Sequence, residues 1–136
     1  MPEKEFNFNM KYFDELKRSM EYLGKKKDTI FIGQAVEVPG TAMSNTLKKI
    51  NKKKLLELPV AEDMQMGMTL GLAMDKNVPI SIYPRWNFLL LAINQLVNHL
   101  DRMKEFSHGL YSLLAPYVLL NHDFWYLSTL EVILPK

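Results

Sequence analysis

The sequence predicts an α/β fold, a three-layer α/β/α arrangement around a mostly parallel sheet. Three observations predict it. Short β-branched and aromatic runs alternate with stretches of helical periodicity, the links between them are short, and 136 residues suffice for one packed core. Such alternation implies right-handed crossovers with helices on both faces, and ligands in these sheets sit beyond the carboxyl ends of the strands.

Each element has its own signal. Met10, Phe13, Leu16, Met20 and Leu23 recur at the spacing of an amphipathic helix that Gly24 stops. Thr29-Ile30-Phe31-Ile32, ending at Gly33, reads as a buried first strand. The stretch 34–44 holds Pro39-Gly40 and reads as loop, followed by a short helix over 46–53 and a second strand over 55–60, with Pro59 near its end. Between Glu62 and Met74 the apolar residues fall on every second position, as a strand would want. Thirteen residues rich in Met, Leu and Ala, opened by Glu62 and Asp63, nevertheless suit a buried helix better, with Gly67 and Gly71 allowing close approach of a neighbour. Pro79-Ile80-Ser81-Ile82-Tyr83 gives a third strand and 84–87 a turn. Leu89, Ile93, Leu96, Val97, Leu100 and Met103 share one face of a long helix capped by Asn87. Tyr117 to Leu120 reads as a fourth strand, and 124–134 as a further one.

Composition narrows the function classes. Seventeen Lys and Arg against fifteen Asp and Glu leave a formal charge of +2, so nucleic acid is not an expected partner. The absence of cysteine excludes disulfide scaffolds and thiolate metal sites. The charged start lacks an apolar leader, and the longest uncharged run, 87–100, contains Asn94, Gln95, Asn98 and His99, too polar for a membrane span. A cytoplasmic protein with no membrane partner is expected. Lys25-Lys26-Lys27 and Lys48 to Lys54 read as solvated helix ends, with phosphate binding as the alternative.

The strand-end loops carry few chemical motifs. No phosphate-binding glycine loop is present, and His99, His108 and His122 have no metal-ligand spacing, so no metal site is expected on this chain. Glu62 stands apart. It follows the second strand directly and heads an apolar helix, where burial favours a protonated or proton-sharing carboxyl and the helix dipole favours an ionised one.

Leu58-Pro59-Val60-Ala61-Glu62, with Gly67, Gly71, Ala73 and Pro79, resembles the pyrimidine-binding domain of thiamine diphosphate enzymes. The likeness is greatest to the beta subunit of pyruvate and branched-chain 2-oxo acid dehydrogenases and looser to transketolase. That family runs T-P-I-S-E, then Gly five and nine residues after the Glu and Pro seventeen after it, a register kept here without a gap. Ile32-Gly33-Gln34-Ala35-Val36 is similar to the family's I-G-E-D-V, and 87–98 resembles its F-x-x-x-A-x-D-Q-I-x-N helix. The similarity covers roughly residues 10–121.

The resemblance implies a single pyrimidine-binding domain over 1–136, with a tail at 122–136 that departs from the family. It implies that Glu62 is both catalytic and cofactor-binding: it contacts a pyrimidine ring nitrogen and shares a proton there, which lets the cofactor's amino group take the thiazolium proton. Trp86 or Phe88 would stack on the pyrimidine, though core packing is an equally ordinary role for either. It implies thiamine diphosphate as cofactor, with magnesium held mainly by a partner chain, because the Gly-Asp-Gly diphosphate motif does not occur here. The expected partner is an alpha-type diphosphate-binding subunit in a homodimer or heterotetramer, and the chain alone is expected to be catalytically silent. Departures exist. The acidic pair of G-E-D is Gln34-Ala35, the small residue two after the Glu is Met64, and His122-Asp123-Phe124-Trp125 does not match the family's glycine-rich continuation. These departures keep a second expectation open, a non-catalytic assembly module that retains the fold.

Overall fold

The computed structural model describes residues 12–106 and 117–120. Met10, His108, His122-Asp123 and the strand expected over 124–134 lie outside the described residues. The elements run α1 (Tyr12–Gly24), β1 (Thr29–Gly33), α2 (Ala42–Leu47), a 3-10 turn (Lys52–Lys54), β2 (Leu55–Glu57), α3 (Glu62–Met74), β3 (Val78–Tyr83), α4 (Trp86–Leu89), a 3-10 turn (Leu90–Ala92), a π-helical turn (Gln95–Leu100), α5 (Met103–Phe106) and β4 (Tyr117–Leu120). The four strands form one parallel sheet in the order β2-β1-β3-β4, with Phe31 beside both Leu55 and Ile80, and Tyr83 beside Leu120. This is the three-layer parallel α/β/α arrangement that the sequence predicts.

Alternation along the strands divides the core into two layers. Phe31, Ile80 and Ile82 pack with Met20 of α1 and Met43 and Leu47 of α2 on one face. Tyr83 points to the other, where Met66 of α3 meets Leu89 and Ala92, with Leu96 packed alongside. Among the described residues, no helix is long and apolar enough to cross a membrane.

Several expected boundaries move, each for a local reason. The helix expected over 46–53 is α2, which starts earlier. The Thr41 side chain accepts from Ser44 N–H at 3.0 Å while Ser44 Oγ accepts from Thr41 N–H at 3.2 Å, a reciprocal cap that fixes the start at Ala42. A separate turn over Lys52–Lys54 is opened by Asn51, whose Oδ1 accepts from Lys53 N–H. The second strand stops at Glu57, short of Pro59, which has no N–H to give a ladder. Asn87 is not a cap: the helix begins at Trp86, with Arg85 at its N-cap and no side-chain bond there. The long helix expected from Leu89 to Met103 is broken into four short pieces. Leu89 and Ala92, with Leu96 packed alongside, form its buried side, while Ile93 and Val97 are exposed.

Helix α3 keeps its expected span, but its buried face is not the methionine row. Glu62, Gln65, Met66, Thr69, Leu70 and Ala73 are buried at spacings of three and four, while Met64, Met68 and Met74 face outward. Helical periodicity has overridden the every-second-residue pattern of the sequence. Among the described residues, the close approach expected at Gly67 and Gly71 is absent. A Cβ at Gly71 would meet nothing within 4 Å, and one at Gly67 would make ordinary contact with Gln95 at 3.9 Å. Gly71→Ala is therefore expected to raise stability by about 0.5–1 kcal/mol, read as a higher urea midpoint with an unchanged slope. A fall would show that this side of α3 is already closely packed.

Candidate functional site

The sheet order reverses direction once. Strand β1 passes through α2 to β2 on its one side, and β2 returns through α3 to β3 on the other, so neighbouring β1 and β3 send their chains to opposite faces. Crevices at the carboxyl ends of such a strand pair are where ligands bind in open α/β sheets. Gly33 and Gln34 end one strand there, and Tyr83 and Pro84 the other.

Glu62 reaches this point from the first residue of α3. Its side chain is 5% exposed, and Oε1 accepts a hydrogen bond from Gln34 Nε2 at 3.0 Å. Among the described residues Gln34 is the one hydrogen-bond partner of this carboxyl group, so Oε2 has no protein donor. A donor on one oxygen fixes the rotation of the carboxyl and leaves the second oxygen to face a ligand atom. The residue in the place of the family's acidic G-E-D glutamate is thus a neutral amide donor. Two carboxyls there would have to share a proton; a carboxyl and an amide need not.

Gly33 lets the end of β1 lie close against β3 and the Gln65 side chain. Its φ of 152° is left to glycine, and an added Cβ would lie 2.2 Å from the Ile82 carbonyl oxygen and 3.1 Å from Gln65 Nε2. The Gln65 amide fills that space. Its Nε2 donates to Ser81 Oγ at 3.0 Å and to the Ile82 carbonyl at 2.9 Å, and Thr69 Oγ1 lies 3.1 Å from Ser81 Oγ and bonds the Gln65 carbonyl at 2.8 Å. The sequence predicts an apolar helix behind Glu62. The structure instead has a buried polar network there, with Gln65, Thr69 and Ser81 wholly enclosed.

Among the described residues, two buried atoms here have no hydrogen-bond partner, Gln65 Oε1 and the Tyr83 hydroxyl. Burial pushes the Tyr83 phenol up to about 12; the Ser81 hydroxyl pulls the other way without reaching hydrogen-bond geometry, and the charges of Glu62 and Asp63 add to the rise. The folded value exceeds the ordinary value of 10, so the folded chain holds this proton more tightly. Stability from this source is complete below pH 10 and is lost as pH rises through about 12. Tyr83→Phe removes the unpaired hydroxyl and is expected to be close to neutral at pH 7 and to flatten the alkaline unfolding curve. Urea midpoints at pH 7 and 11 check both halves.

The remaining candidates are dispersed. Trp86, at the start of α4, is 58% exposed, and Phe88 is half-buried beneath the Arg85 guanidinium, 5.9 Å from its ring centre. Neither joins the Glu62–Gln34 contact. Met64 is 45% exposed and so does not fill the core, and His99 lies at the surface. Among the described residues no cluster of three His, Asp or Glu could hold a metal ion. Gln65 and Tyr83 are the participants that sequence reading missed. Gln65 and Thr69 sit three and seven residues after Glu62, on its own helical face, and that spacing was the available signal.

The fold and the place of Glu62 in it define a class: a doubly wound parallel α/β domain with a buried acid at its switch point. No family model matches the chain. It is 32% identical over 92 residues to the pyruvate dehydrogenase E1 component subunit beta of Cyanidium caldarium, covering 65% of this chain and 28% of that protein. It is 31% identical over 102 residues to the protein of the same description from Gracilaria tenuistipitata var. liui, covering 71% of this chain and 31% of that protein. The chain spans less than a third of the length of these curated relatives. It is a homologue of the pyruvate dehydrogenase E1 beta subunit and has the pyrimidine-binding fold of thiamine diphosphate-dependent enzymes.

Proposed function

We propose that the chain is the pyrimidine-binding half of a thiamine diphosphate-dependent enzyme of the 2-oxo acid dehydrogenase beta or transketolase kind, with Glu62 as its acid–base residue. One observation carries this reading above the others: a nearly enclosed glutamate at the sheet's switch point, one oxygen tied by Gln34 and the other without a donor among the described residues. That donor set suits the pyrimidine half of the cofactor, because a carboxyl oxygen in a dry pocket can hold a proton in common with a ring nitrogen. When bound, thiamine diphosphate supplies a carbon nucleophile that amino acid side chains lack. Glu62 would hold the shared proton at Oε2 while Gln34 keeps Oε1 in place. Trp86 and Phe88, directly beyond β3, would give the ring an aromatic wall.

The diphosphate and its magnesium ion are assigned to a partner chain, as in the family the sequence resembles. The described residues offer no cluster for the metal, and the expected partner is an alpha-type subunit with the active site at the seam, in a homodimer or heterotetramer. Trp86, Leu90, Leu91, Ile93, Val97, Met64 and Met68 are exposed on α3 and the segment after β3. Exposed apolar surface of this kind is what an obligate interface covers. A non-catalytic assembly module is favoured by a different observation, the replacement of the family's acidic pair with Gln34-Ala35.

The two readings part in a thermal titration. Thiamine diphosphate and magnesium chloride are added to the full chain co-purified with its natural partner. Cofactor at 100 times its dissociation constant should stabilise the assembly by about 2.7 kcal/mol, seen as a saturable rise in Tm. No shift at any concentration would favour the assembly module.

A further inference from the structure

The loop between β1 and α2 is held by a residue that belongs to neither. Glu57, the last residue of β2, accepts from Ala35 N–H through Oε1 at 2.7 Å and from Glu37 N–H through Oε2 at 2.8 Å. Short bonds from backbone amides to both oxygens of a carboxylate are among the stronger kinds of hydrogen bond. Between these anchors the backbone is unusual. Gln34 is flanked by Gly33 at φ 152° and by Ala35 at φ 58°, a left-handed conformation that alanine seldom adopts. Such a conformation persists where surrounding contacts over-determine it. Among the described residues, the other hydrogen bonds on this stretch beside Gln34–Glu62 are Leu58 N–H to the Gly33 carbonyl at 2.9 Å and Thr41 Oγ1 to the Ala35 carbonyl at 3.3 Å, and the Val36 side chain packs in the core. Neither of these two bonds reaches the amide of Ala35.

We infer that Glu57 is a positioning residue: by clamping the amides of Ala35 and Glu37 it holds the left-handed turn that aims the Gln34 side chain at Glu62. The inference rests on the proposed role of Glu62 for its functional meaning, but the chain of contacts stands apart from it. Without the clamp, Ala35 returns to an ordinary φ and the backbone rotates about Gln34. The amide nitrogen then leaves Glu62 Oε1, and the carboxyl loses the contact that fixes its rotation. The acid would remain at the head of α3 with its orientation unset.

Nuclear magnetic resonance of the full chain without cofactor tests this. Glu62→Gln first identifies the Gln34 side-chain amide signals that depend on the carboxylate. In Glu57→Gln, hydrogen exchange at the Ala35 and Glu37 amides is expected to quicken roughly tenfold or more. The Gln34 side-chain signals should also move toward their positions in Glu62→Gln, while Phe31 and Ile80 in the strands keep their slow exchange. If the Gln34 signals stay at wild-type positions while the loop amides exchange faster, Glu57 is a loop staple alone and the inference is overturned. Should Glu57→Gln fail to fold, Glu57→Asp, one methylene shorter, is read by the same two signals. No step needs bound cofactor, so failure of thiamine diphosphate to bind would remove the functional reading and leave this result to be judged by itself.

Discussion

Gly33→Ala is expected to destabilise the chain by about 3–5 kcal/mol, in the range that single substitutions reach when strain and a buried clash coincide. Two independent terms meet at this residue. Its φ of 152° is closed to residues with a Cβ, and the added methyl would sit 2.2 Å from the Ile82 carbonyl oxygen of the neighbouring strand. That oxygen belongs to the backbone and cannot swing aside. Relief would require β1 and β3 to separate where Gly33 pairs with Ile82, which also takes the carbonyl away from Gln65 Nε2. Against a typical domain stability of about 5–15 kcal/mol, the loss would leave a marginal protein. Urea unfolding gives the number directly, and a midpoint within error of wild type would mean that the turn after β1 is not formed as described.

The strands were legible because their signal is local. Thr29-Ile30-Phe31-Ile32 and Ile80-Ser81-Ile82-Tyr83 have a composition that a buried parallel strand requires, and α3 was bounded correctly by Glu62-Asp63 at its start. What escaped depends on side chains meeting at a distance or on small changes of helical pitch. The start of α2 is set by a Thr41–Ser44 cap inside a stretch whose Pro39-Gly40 reads as loop. The segment after Trp86 has a regular apolar pattern, but it folds as several short pieces that bury Leu89 and Ala92 and leave Ile93 and Val97 exposed. Glu62 itself was found because it opens a helix straight after a strand. Its setting was not, because Glu57 acts on Ala35 across 22 residues and Gln34 on Glu62 across 28. The expectation of a dry apolar helix behind the acid failed for a comparable reason: Gln65 and Thr69 look incidental in a methionine-rich run until helical spacing turns them inward.

Glu62→Gln carries the largest expected effect on chemistry. The substitution keeps the volume, the helix and an oxygen that can accept from Gln34, and it removes the capacity to exchange a proton at the second oxygen. A positioned acid–base group contributes about 10²–10⁴-fold, so turnover of the assembled enzyme should fall by that factor with cofactor binding largely kept. A binding defect with unchanged turnover at saturation would instead assign Glu62 to holding the ring and not to proton transfer.

The most direct measurement follows the proton itself. With the full chain in its natural assembly and thiamine diphosphate saturating, the rate at which the bound thiazolium proton exchanges with deuterated water is compared between wild type and Glu62→Gln. The account predicts exchange slower by about 10²–10⁴-fold in the variant. Equal exchange rates with cofactor fully bound in both would contradict it.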